Sequence, residues 1–257
     1  RMCSARVTLR GVEDQVFRNL QELEATLWQP RRLCHGEDVL QAREKAVKDI
    51  VAIHHTLSHT GNGGIVRKCR GTSFLAVQLL DRYLALRPYA TAEQVAAMGW
   101  AAYWVAAKHD NGQADVGWRI SLYMLLEMGV QTKDLIANEW KLLAALSTEE
   151  AGAGWRLDLP TPYSFLEVFL AVAGETLDGE VGQYVQDVLE SSLVMAGMLS
   201  YRPSMVAKAA VDAVLGKLHP ALPYHSKLEA VSGYSQEDIQ DCQEHVILAY
   251  NMHPMQS

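Results

Sequence analysis

The most informative segment of the sequence spans residues 91–108 and reads TAEQVAAMGWAAYWVAAK. After Gln94, nearly every position holds alanine, glycine or another apolar residue. A helix that is apolar around its whole circumference is a buried helix, and small side chains let neighbouring backbones approach closely. The segment therefore predicts a central helix surrounded by other helices.

Apolar residues recur at three- and four-residue steps on both sides of this segment, which is typical of amphipathic helices. We expect such helices at residues 12–27, 39–59, 72–86, 133–146, 165–172, 181–199, 203–218, 228–231 and 236–250. The helix at residues 203–218 is again rich in alanine, so the second half repeats the style of the first. No alternating run is long enough to predict a sheet. The predicted fold class is all-α.

The composition excludes several classes of function. The 257 residues are 49% hydrophobic and 21% charged, as in ordinary globular proteins. The net charge of −7 disfavours binding to nucleic acid, because such proteins usually carry a basic patch. The sequence contains no apolar run of about 18 residues, so no membrane span is predicted. The four cysteines include no C-x-x-C pair, which favours a reducing compartment, here the nucleus and cytoplasm.

Five segments, in order along the chain, carry recognisable motifs. They read FLAVQLLDRYL at 74–84, AAKHD at 106–110, EWKLLAAL at 139–146, WRLDLPTPYSFL at 155–166 and YRPSMVAKAA at 201–210. Together, and at these spacings, they resemble the cyclin family. The opening helix is similar to the additional N-terminal helix of A- and B-type cyclins, which points toward a divergent member of the mitotic group.

The resemblance implies tandem five-helix cyclin-box repeats preceded by an additional N-terminal helix. The N-terminal helix and linker would occupy residues 1–38, the N-terminal cyclin box 39–158 and the C-terminal cyclin-like repeat 159–257. Such a protein is not an enzyme and needs no cofactor. It is expected to bind and activate a cyclin-dependent serine/threonine protein kinase in cell-cycle control. The alternative is a cyclin-fold transcription or adaptor protein that activates no kinase, which would need a basic face.

The resemblance also implies which residues bind the kinase. Lys108 and Glu139 match the family's lysine–glutamate pair, which reaches main-chain groups of the partner. The residues expected to add contact area are His109, Leu143, Leu146, Phe17 and Leu20. Two alternatives stay open: the pair could be an ordinary surface salt bridge, and Leu143 and Leu146 could belong to the core.

The family's groove for short linear motifs of substrates or inhibitors contains the pattern M-R-A-I-L-x-x-W. Aligned on Asp49, the pattern puts Arg43 in place of methionine and Glu44 in place of the arginine that pairs with the aspartate matching Asp81. A shift of one residue would instead give that arginine position to Arg43. The groove expected from the alignment on Asp49 comprises Arg43, Ala46, Val47, Ile50 and Val95. Docking there is expected to be altered.

Three histidines, His54, His55 and His59, lie close together in the sequence. His55 and His59 are four residues apart, a spacing that zinc ligands on a helix can have. No cysteine joins them at ligand spacing, and Asp49 is the one nearby carboxylate. We therefore expect a solvated or partly buried histidine cluster and no metal site.

Overall fold

The computed structural model describes residues 11–28, 31, 33–59, 71–111, 129–148, 156–157, 159–219 and 224–254. Over these residues the chain forms helices and no strand, which confirms the all-α class. The helices are α1 (Gly11–Leu27), α2 (Glu37–His59), α3 (Thr72–Leu86), α4 (Ala92–Asn111), α5 (Thr132–Leu146), α6 (Pro162–Ala173), α7 (Glu180–Val194), a 3-10 helix (Ala196–Ser200), α8 (Pro203–Leu218), α9 (His225–Ser232) and α10 (Gln236–Met252).

One predicted helix is divided. The helix expected at residues 181–199 ends at Val194, because Met195 adopts an extended backbone conformation and a 3-10 helix containing Gly197 follows. Glycine has low helix propensity, which weakens continuation of the α-helix here.

The chain divides into two compact units. The first unit is Arg31–Leu159, and the second comprises Arg1–Pro30 together with Pro160–Ser257. The helix α1, expected to form a separate N-terminal segment with its linker, is grouped with the second unit.

The first unit is built around α4, which packs against α2, α3 and α5. Three alanines of α4 that face the surrounding helices are fully buried: Ala101, Ala102 and Ala106. A Cβ added at Gly99 would lie 3.2 Å from the Cβ of Ala46, so α2 crosses α4 closely at this glycine. The prediction of a central small-residue helix is confirmed, although α4 is not buried all round, since Trp104 is half-buried and Lys108 exposed.

A buried ion pair joins α2 to α3. The guanidinium of Arg43 donates through Nε to Oδ1 of Asp81 at 2.6 Å and through Nη2 to Oδ2 at 2.8 Å. Both side chains are almost completely buried. Removing one partner of such a pair leaves an uncompensated charge in the core, which costs far more than the loss of an exposed pair.

We therefore expect Arg43→Ala to lower the free energy of unfolding by about 3–5 kcal/mol. Lys45→Ala is the matched control on the same helix, because Lys45 is 75% exposed and its pair with Asp49 contributes at most about 1 kcal/mol. Urea unfolding followed by circular dichroism measures both. Equal losses in the two variants would contradict this assignment of the buried pair.

The second unit repeats the arrangement around α8, which packs against α6, α7 and α10. Ala207, Ala209 and Ala210 on α8 are fully buried. The helix α6 begins with a capping box between Thr161 and Ser164 and has proline in its first turn, so the sequence itself defines its start.

The helix α1 is held in the second unit by an aromatic contact and a carboxylate. The ring of Phe17 makes edge contacts with Phe165 and Phe169 at centroid distances of 6.0 and 5.7 Å. The carboxylate of Glu24 accepts from the backbone N–H of Ser204 at 2.7 Å and from its hydroxyl at 2.5 Å. Ser204 lies in the first turn of α8, where backbone N–H groups lack helical partners and favour a negative charge.

Glu24→Ala should lower the free energy of unfolding by about 1–3 kcal/mol, because the buried backbone N–H of Ser204 loses its carboxylate acceptor. Glu24→Gln should cost less, since an amide can accept from the N–H and donate to the hydroxyl oxygen. Denaturant titration of the two variants measures the difference. A glutamine variant as unstable as the alanine variant would show that the negative charge, rather than the hydrogen bonds, holds α1.

The pH dependence of the free energy of unfolding, compared between the wild type and Glu24→Gln, gives a further readout. Burial raises the pKa of Glu24 above its ordinary value of 4.5, although the bonds from Ser204 oppose this shift. The folded state therefore binds more protons than the unfolded state between the two pKa values, and stability falls as the pH rises through the raised pKa. The wild type should lose stability relative to Glu24→Gln over that range.

Candidate functional site

The candidate site lies where the last turn of α4 meets α5. The ammonium of Lys108 donates to Oε1 of Glu139. The indole Nε1 of Trp104 donates to Oε2 of the same carboxylate at 2.8 Å. Lys108 Nζ also lies 5.1 Å from the centroid of the Trp104 ring, within range of a cation–π contact. The structure brings together the two residues that the sequence paired, and it adds Trp104.

The pair is partly open to solvent. The side chain of Lys108 is 40% exposed and that of Glu139 is 16% exposed. Solvent screens an ion pair of this kind, so it adds little to the stability of the fold. Its polar groups are available to another molecule, and a partner that desolvates them would strengthen their electrostatic interactions.

An apolar face of α5 flanks the pair. Trp140 is 67% exposed and Ile136 is 44% exposed, and Leu143 is half-buried. Together with Glu139, these residues follow the three- and four-residue spacing of one helix face. An exposed tryptophan on such a face is the type of residue that contributes strongly to protein interfaces.

Two of the predicted contact residues, His109 and Leu146, differ in their exposure to solvent. His109 is exposed next to Lys108, and its Nδ1 lies 3.1 Å from Oδ1 of Asp110. The other carboxylate oxygen of Asp110 accepts from the hydroxyl of Thr72 at 2.6 Å, which ties the end of α4 to the start of α3. Leu146 is fully buried and belongs to the core of the first unit, as the alternative interpretation held.

Residues 160–257 match the family described as "Cyclin, C-terminal domain". Cyclin-F2-2 of Oryza sativa subsp. japonica is 33% identical to this chain over 178 residues, which cover 67% of this chain and 38% of that protein. The chain belongs to the cyclin family. The G2/mitotic-specific cyclin-1 of Antirrhinum majus is 29% identical over 174 residues, covering 66% of this cyclin and 34% of that protein.

The fold is also similar to that of a solved cyclin. The X-ray structure of a viral cyclin from herpesvirus saimiri superposes with a TM-score of 0.69 at 17% identity, over 92% of this chain and 99% of that one. At this identity the likeness concerns the fold alone, and it confirms the predicted cyclin architecture. The chain spans 38% and 34% of the length of the two plant relatives.

The two contact residues predicted on α1 lie in the second unit of this cyclin. Phe17 is only 3% exposed because it packs between the rings of α6. It therefore anchors α1 and offers almost no surface to a partner, contrary to the prediction of direct contact. Leu20 is half-buried and keeps some accessible surface.

The predicted substrate-docking groove needs a correction. Each of its five residues is at most 6% exposed: Arg43, Ala46, Val47, Ile50 and Val95. They form the core between α2 and α4 and leave no side-chain surface for a peptide. The alignment on Asp49 is wrong by one residue, since Arg43 makes the bidentate pair with Asp81 that the family's arginine makes.

The corrected register changes the chemistry of the groove. It puts Ala42, Lys45 and Asp49 at the positions of the family's methionine, isoleucine and tryptophan. Lys45 donates to Asp49 at 2.5 Å, so an ion pair occupies the two positions where the family has large apolar side chains. Such a surface gives an apolar motif little area to bury.

We accordingly expect a peptide carrying the short motif recognised by the family's groove to bind no more tightly than its scrambled control. The double substitution Lys45→Ile with Asp49→Trp restores two large apolar side chains and should confer measurable binding. Fluorescence polarisation with a labelled peptide measures both proteins. Specific binding of the motif by the wild type would show that the groove functions without them.

Of the three clustered histidines, His54 has a structural role in the core of the first unit. This residue is buried, and its Nδ1 lies 3.2 Å from the hydroxyl of Tyr103. Burial, and then the neighbouring His55, lower the pKa of His54 to about 4, so its ring is neutral at physiological pH. The side chain of His59 is outside the described part of the chain.

The described residues contain no group of three or more histidine, cysteine, aspartate or glutamate residues arranged to hold a metal ion. In the same part of the chain, no helix combines the length and apolar character needed to cross a membrane.

Sequence reasoning missed Trp104 and Trp140. The motif AAKHD begins after Trp104, so the resemblance did not include it. The spacing of Trp104 and Lys108, one helical turn apart, was the available signal.

Proposed function

We propose that this cyclin is a regulatory subunit that binds and activates a cyclin-dependent serine/threonine protein kinase in cell-cycle control. The observation that carries the proposal is the Lys108–Glu139 pair at the junction of α4 and α5, flanked by an exposed apolar face. The mitotic name of the Antirrhinum relative supports an A/B-like, mitotic role. A nuclear and cytoplasmic location is part of the same proposal.

Activation of a protein kinase requires a lysine–glutamate pair of its own, which forms only when the kinase's regulatory helix is correctly positioned. A rigid surface that holds this helix can therefore activate the enzyme without taking part in the chemistry. On this cyclin, Trp140 and Ile136 supply apolar area that a partner can bury. Lys108 supplies N–H donors for main-chain carbonyls of the partner.

The test uses purified catalytic subunits of several cyclin-dependent kinases. The wild type should bind at least one of them and stimulate phosphorylation of a histone substrate. Lys108→Ala should weaken that binding by about 2–5 kcal/mol, because truncating one member of a desolvated pair leaves the other unpaired. Calorimetry gives the affinity, and a phosphate-transfer assay gives the activity.

Lys141→Ala is the matched control, since Lys141 is an exposed lysine of α5 outside the pair. It should bind and activate like the wild type. If Lys108→Ala also binds like the wild type, the interface lies elsewhere. If the wild type binds none of the kinases, the regulatory-subunit proposal is wrong.

A further inference from the structure

Trp104 is the residue that connects both members of the pair. It lies on α4 one turn before Lys108, so the two side chains share a helix face. Its ring lies near the ammonium, and its N–H reaches across to α5 and donates to Glu139. Trp104 is half-buried, so part of the indole is shielded from solvent.

These contacts hold the carboxylate of Glu139 at both oxygens. Oε1 accepts from Lys108 and Oε2 from Trp104, and both donors come from α4. A carboxylate bound by one flexible lysine can leave that geometry at little cost, because solvent competes for both charges. The second donor is part of a rigid ring, which limits rotation of the Glu139 side chain.

The indole of Trp104 connects the tightly packed helix α4 to the Lys108–Glu139 pair. Both neighbours of Trp104 in the sequence, Tyr103 and Val105, are buried in the core of the first unit. Since α4 is packed on α2, α3 and α5, the position of the Trp104 backbone is determined by the fold. A side chain held in its bound conformation before association loses less entropy on binding.

We propose that Trp104 is a positioning residue that fixes Glu139 and Lys108 in their binding arrangement before the partner arrives. The proposal rests on the proposed kinase-binding function and deepens it. An ammonium has three N–H bonds, and Glu139 accepts one of them. The Lys108 side chain is 40% exposed, so N–H bonds that Glu139 does not accept are accessible to carbonyl or carboxylate oxygens of the partner.

The test is Trp104→Phe, which keeps an aromatic ring and removes the N–H donor. Its affinity for the kinase should fall by up to about tenfold, because the freed Glu139 side chain must then be ordered when the partner binds. Trp100→Phe is the matched control, one turn earlier on α4 and half-buried as well, and it should leave the affinity unchanged.

A double-mutant cycle separates positioning from a merely structural role. If Trp104 acts through Glu139, adding Trp104→Phe to Glu139→Ala, which has no acceptor for the indole N–H, should weaken binding much less than it does in the wild type. A purely structural contribution would produce the same loss in both backgrounds. That result, or an unchanged affinity of Trp104→Phe alongside a loss in Lys108→Ala, overturns the inference and leaves the regulatory function standing.

The free protein gives an independent readout. In 15N-labelled protein, the indole N–H of Trp104 should exchange with solvent more slowly than that of Trp100, and Glu139→Gln should shift its resonance. If the wild type binds no kinase, the proposed function fails, and this measurement still decides whether Trp104 fixes Glu139. Equal exchange of the two indoles, with no shift in Glu139→Gln, overturns the positioning role.

Discussion

Close packing on the small-residue surface of α4 is the constraint on which the first unit depends. The fully buried Ala101, Ala102 and Ala106 leave no room for larger side chains, and α2 approaches α4 at Gly99. Close-packed protein cores resist small displacements. The last two turns of α4 are therefore held in a fixed position. They carry Trp104 and Lys108, so the geometry of these side chains toward α5 is defined without a partner.

Two buried ion pairs show how differently charge is used in the two units. Arg43 and Asp81 join α2 to α3, and a bidentate pair accepts only one alignment of the two helices. Lys208 and Asp212 lie one turn apart on α8, at 2.6 Å, so their bond cannot align one helix against another. Burial raises the pKa of Asp212, while Lys208 opposes the shift. A buried pair gives information about packing only where it connects different elements.

Periodicity and small-residue content were sufficient to predict the helical class, the central position of α4 and most helix positions. They could not predict whether an apolar side chain packs in the core or contacts a partner, because both kinds recur at three- and four-residue steps along a helix. Phe17 and Leu146, both predicted to contact the partner, are buried. The motif alignment on Asp49 gave the wrong register for α2, because it put Glu44 at the position of the arginine that pairs with Asp81. The alternative shift of one residue, which gives that position to Arg43, is the register that the buried Arg43–Asp81 contact supports.

The candidate site combines side chains of α4 that are held in place with side chains of α5 that are exposed to solvent. On α4, burial of the surrounding backbone fixes Trp104, and Trp104 in turn fixes the carboxylate of Glu139. On α5, Trp140 is 67% exposed, and a partner that covered it would remove apolar area from water. The Lys108–Glu139 pair, screened by water in the free protein, would be strengthened where the same partner excludes solvent. The proposed kinase-binding function therefore uses both features together, since burial of Trp140 and desolvation of the ion pair would accompany one contact.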